Sequence, residues 1–121
     1  MQNAAQAYGA VARQIANPRE LEADLLLRAA SQLQTVYDRW DGKRSDLDVA
    51  LRYNRKLWSI FLTAVTSAEH GLPTEVRQNV ANLGLFVMNQ TVVMMSNPRR
   101  ESLGSLININ RELAAGLLGR T

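Results

Sequence analysis

Apolar residues recur at helical spacing along most of this chain, and three prolines cut the pattern into segments. Leu21, Leu25, Ala29, Leu33, Val36 and Trp40 share one stripe of a helix predicted from Pro18 to about Trp40. Leu47, Leu51, Asn54, Trp58, Phe61 and Val65 do the same from Asp46 to about His70. Val76, Val80, Leu83, Val87 and Met94 mark a helix from Pro73 to about Ser96, and Leu103, Leu106, Leu113 and Leu117 one from Pro98 to about Leu118. A shorter first helix is predicted over about Asn3 to Ala16. No stretch alternates with period two over a useful length, and the strand-prone Thr91-Val92-Val93 has helical neighbours on both sides. The expected fold is all-α: a single domain over residues 1–121, a compact bundle of about five helices, with the third and fourth forming a central hairpin.

Punctuation agrees with these segments. Pro18, Pro73 and Pro98 each stand at a predicted helix start, where a missing N–H costs nothing and a fixed φ helps. Asn17 and Asn97 precede two of them as caps, with Glu20 placed as a capping-box acid; Leu72 is a poor cap. Ser45 with Asp48 opens the third predicted helix, the acid favouring the positive end of the helix dipole. Gly42 and Gly71 fall where helices should stop.

Two segments hold more apolar surface than one stripe requires. Leu57 to Val65 is apolar nearly all round, and so are Leu83 to Met88 and Val92 to Met95 in the next helix. One reading is core, with the two helices at the centre of the bundle. The other is a groove for a partner helix, to which Met88, Met94 and Met95 would lend adaptable side chains. Trp58, Phe61, Leu62, Phe86, Met88, Val92 and Met95 are the candidates for core or groove. The last helix carries Gly104 and Gly116 inside it, each costing roughly 1 kcal/mol against alanine, and Asn108 and Asn110 are further weak positions. It reads as an ordinary closing helix ahead of a displaceable lid.

Composition narrows the chemistry. A chain of 121 residues can bury about two thirds of its unfolded surface without staples. There is no cysteine, which excludes disulfides, thiolate metal sites and cysteine nucleophiles, and fits a cytoplasmic setting. The start lacks a basic region followed by an apolar run, so no secretory signal is expected. The uncharged stretch from Gln78 to Pro98 is broken by Asn79, Asn82, Asn89, Gln90 and Ser96, too polar for a membrane span. His70 is the lone histidine, at a predicted helix end where the dipole favours positive charge. No pair of carboxylates lies within an apolar stripe, and no glycine-rich phosphate loop occurs. Neither enzyme activity nor a cofactor or metal is expected. Arg52, Arg55 and Lys56 share one helix face, with Tyr53 adjacent and Arg99-Arg100 able to join them in space. They read as a solvated face in which Asp48 pairs Arg52, or as rim charges of a binding surface. A net charge of +3 is too small to mark a dedicated nucleic-acid binder, although RNA contact through these three is the rival reading.

Three stretches carry a resemblance: Ala50 to Phe61 with its Tyr53-Asn54-Arg55-Lys56-Leu57-Trp58 core, Leu72-Pro73, and Val76 to Val87 with Asn82-Leu83-Gly84-Leu85-Phe86-Val87. Together with Ala7-Tyr8 and Asn17 to Ala23, they resemble the FlaF family of bacterial flagellar biosynthesis regulators over essentially the whole chain. That resemblance implies a cytoplasmic protein acting on flagellin, with or against a second regulator, FlbT, which is linked to flagellin mRNA. It implies no catalytic residue. A flagellin-binding secretion chaperone that covers an amphipathic flagellin terminus is the expectation. Direct contact with flagellin mRNA, or an adaptor working only through FlbT, are the alternatives.

Overall fold

The computed structural model describes residues 18–40, 44–67 and 71–120. Within them lie four helices: α1 (Pro18–Asp38), α2 (Arg44–Val65), α3 (Thr74–Ser96) and α4 (Arg100–Leu117). The helix predicted over residues 3–16, the Asn17 cap, Gly42 and His70 fall outside the described residues. The all-helical expectation therefore holds coarsely, with four helices where about five were predicted.

Helix ends follow local chemistry, with two departures. Gly71 takes φ +92° and Gly119 φ +72°, left-handed values that glycine reaches without a Cβ penalty. At Gly119, Arg120 N–H donates to Ala115 O at 2.8 Å and Gly119 N–H to Gly116 O at 3.1 Å, the paired bonds of a Schellman stop. Asn97 departs from prediction: its N–H donates to Val93 O, so it closes α3 instead of opening α4. α4 begins later, after an extended Arg99, with Glu101 in its first turn. Ser45 likewise lies inside α2, and Asp46 is the acid in its first turn.

α1 packs most extensively against α4, and also against α2; α3 packs on α2 and touches α4 only lightly; α1 and α3 do not meet. The four thus form a ring. Ala23, Leu26, Ala30 and Leu33 are buried along α1, alternating three and four residues apart, and Leu103, Ile107, Asn110 and Ala114 are buried along α4 at the same spacing. The alanines let the two helices approach closely. Arg100 of α4 lies over the Tyr37 ring of α1, 4.3 Å from its centroid, whereas Asn110 reaches Leu26, so the pair runs antiparallel. The seam is rotated from the predicted stripe: Leu21 is half exposed, and Leu25, Val36 and Trp40 are only partly buried. Leucine spacing alone missed it because buried alanines weigh little in an apolar count.

α2 supplies the centre. Leu47, Leu51, Asn54, Trp58, Phe61 and Val65 are all buried, the predicted stripe without exception. Trp58 is fully enclosed, and Phe61 meets its ring edge-on at 5.7 Å. Across the ring of helices, Trp58 Nε1–H donates to Asn110 Oδ1 at 2.9 Å, and Asn110 Nδ2–H donates to Asn54 Oδ1 at 2.7 Å. Asn110 Nδ2 also reaches Leu26 O at 3.4 Å. One fully buried side chain of α4 thereby joins α1 and α2. α4 is accordingly part of the core and not a lid. Its glycines are permissive, since a Cβ at Gly104 would only touch Tyr37 at 3.6 Å and one at Gly116 would meet nothing within 4 Å.

The predicted hairpin forms, but it is not central. Leu62 of α2 faces Gly84 of α3, Arg77 Nη1 donates to Thr66 O at 3.5 Å, and Arg44 donates to Met95 O, an antiparallel register. α3 nevertheless sits at the edge, because it has neighbours only on α2 and, slightly, on α4.

Candidate partner-binding surface

Placement of α3 at the edge decides the site. A helix apolar nearly all round can bury only the sides that touch neighbours. Val80, Gly84, Val87, Thr91 and Met94 are buried. Leu85 is 63% exposed, Val92 61%, Val93 49% and Phe86 46%, with Leu83 and Val76 also open to solvent. From Gln78 to Ser96 the helix carries no charge. At 100° per residue, Leu83, Phe86 and Val93 make one outward row and Leu85 and Val92 another, beside the half-buried Met88 and Met95. Gln78, Asn82 and Asn89 run between the rows, all exposed.

The structure thus separates candidates that spacing left together. Trp58 and Phe61 are core. Leu62, Met88 and Met95 are half-buried and pack against the core. Phe86 and Val92 are open. Leu83 and Val76, predicted on the buried stripe, belong to the open set instead. Leu85, Val93 and Ile60, which lie in the segments of excess apolar surface without being named as candidates, are large and exposed, and so is Val49, which sequence reading passed over. The available signal was Gly84: a Cβ there would stand 2.4 Å from Leu62 Cδ2, so the backbone of α3 closes on α2 at that point, and the side opposite a close contact faces out.

Over most of the chain a protein-family model matches, that of "Flagellar protein FlaF", across residues 4–117. The chain belongs to the FlaF family. No curated protein matches it, and no solved structure does. Family membership gives this FlaF protein a flagellum-related role.

Arg52, Arg55 and Lys56 are all exposed on the outer face of α2 and, with Ser59 and Ile60, line a shallow open depression. The expected Asp48–Arg52 pair is not made: the ion pairs among the described residues are Arg19–Glu22 and Arg28–Asp24. Arg100 does not join the cluster, since its guanidinium lies over Tyr37 and its Nε–H donates to Tyr37 O at 3.0 Å. Among the described residues no group of His, Cys, Asp and Glu could hold a metal ion, and no helix is long and apolar enough to cross a membrane.

Proposed function

We propose that this FlaF protein is a non-enzymatic, cytoplasmic chaperone and regulator that binds flagellin and assists its synthesis or export. Its exposed α3 surface would cover an amphipathic helix at a flagellin terminus. One observation carries this reading: Leu83, Leu85, Phe86, Val92 and Val93 stand open on a helix face without charge. Two exposed apolar rows on one helix, with only uncharged amides between them, are costly to leave in water and characteristic of protein contact sites. A flagellin terminus is the fitting occupant, because an amphipathic segment must be kept from assembling before export. Groove recognition of a helix by apolar anchors is a common binding mode. The test is co-purification of the full chain with intact flagellin, with flagellin lacking either end, with FlbT and with flagellin mRNA. Retention of intact flagellin and loss with one deletion is the expected result. Equal recovery of both deletions removes the helix-capture mechanism, and retention of FlbT or mRNA alone replaces it with the adaptor or RNA reading.

A further inference from the structure

The proposed occupant can be defined further by charge, and this step rests on the flagellin-binding reading only for the identity of the partner. Arg52, Arg55 and Lys56 project from α2 at i, i+3 and i+4, with Ser59 and Ile60 completing a cup one turn on. Among the described residues none of the three cations has an ion pair, and Asp48, one turn away, does not pair with Arg52. Such a concentration of like charge on one helix face is unfavourable by itself.

The register of the α2–α3 hairpin places this cup beside the open apolar rows. Three contacts fix it: Arg44 with Met95, Leu62 with Gly84, and Thr66 with Arg77. Counting inward from these, Arg52 lies level with Thr91 and Val92, and Arg55 with Met88. Arg55 and Ser59 occupy the flank of α2 next to Leu62, and Leu85, Met88 and Val92 occupy the flank of α3 next to Gly84. One seam therefore has a cationic wall and an apolar wall. We infer that it receives an α-helical protein segment whose apolar stripe is bordered on one side by Asp or Glu. The apolar side chains seat on Leu85, Met88 and Val92, and the acids meet Arg52, Arg55 and Lys56. RNA fits less well, because the wall beside the cations is aliphatic and offers no ring for base stacking.

The test uses the full-length protein and two synthetic amphipathic helices with one apolar stripe, bordered by Glu in one and by Lys in the other. Affinities are measured by fluorescence anisotropy at 0.1 M and 1 M salt, where the screening length falls from about 10 Å to about 3 Å. The Glu helix should bind roughly tenfold more tightly at low salt, as expected for three rim pairs, and lose that advantage at high salt. Arg52→Glu, Arg55→Glu and Lys56→Glu combined should reverse the preference, with an unchanged circular-dichroism melt showing that the fold survives. Equal binding of the two helices, binding of neither, a preference untouched by charge reversal, or displacement of the Glu helix by single-stranded RNA at lower concentration would each overturn the inference. Flagellin retention reports separately. If flagellin binds without any preference for acid, this inference fails and the chaperone reading stands; if the acid preference holds but flagellin is not retained, the reverse is true.

Discussion

Asn110 shows how much one side chain can decide. Its amide accepts from Trp58 and donates to Asn54, and it lies in full burial between three helices. Each bond closes a polar group that would otherwise be stranded away from water, and stranding one costs about 1–3 kcal/mol. Asn110→Ala leaves both Trp58 Nε1–H and Asn54 Oδ1 without partners and opens a small cavity. The expected loss is roughly 2–4 kcal/mol, read as a lower midpoint in urea with an unchanged slope. Asn54 Nδ2 already lacks an acceptor, so the network is not maximally stabilising. It fixes instead which faces of α1, α2 and α4 meet, since a slipped register would strand more groups. In the sequence Trp58 stands among the candidates for core or groove, whereas Asn110 registers only as a weak helix position. Propensity is a local quantity, and the value of a buried amide depends on groups 52 and 56 positions away.

At the level of elements, α2 was legible and α3 was not. The α2 stripe has Arg52, Lys56 and Thr63 facing away from it, and these outweigh the exposed Val49 and Ile60, so its period points inward. α3 offers no such contrast, and its orientation is set by contact with Leu62. Gly84 is the tell-tale. Alanine in a helix is ordinarily worth up to about 1 kcal/mol over glycine, but a Cβ at Gly84 would lie 2.4–2.8 Å from three carbons of Leu62. Gly84→Ala should therefore destabilise the native protein and stabilise the Leu62→Ala variant, a reversal of sign that a double-mutant cycle by thermal denaturation would read directly. The same sign in both backgrounds would show that α3 does not depend on this close approach.

For the whole molecule, the question is whether the open face of α3 serves folding or binding. Phe86 and Val92 project into solvent, so Phe86→Glu with Val92→Glu should change stability by no more than about 0.5 kcal/mol per site. Flagellin retention by the same variant should fall at least tenfold, because each apolar side chain covered by a partner contributes roughly 1.5–3 kcal/mol. Parallel loss of melting temperature and retention would assign those residues to the fold instead. The division between sequence and structure follows from the range of the forces involved. Backbone hydrogen bonding and side-chain periodicity act within a few residues, so helix number within the described segments, most helix ends and the inward face of α2 could be read from the chain. The absence of cysteine and the flagellar family were equally plain there. Which apolar helix lies at the edge, which of its residues stay wet, and that an asparagine ties three helices together depend on pairs of elements meeting in space. A helix greasy on every side has no preferred direction of its own, and only its neighbours can give it one.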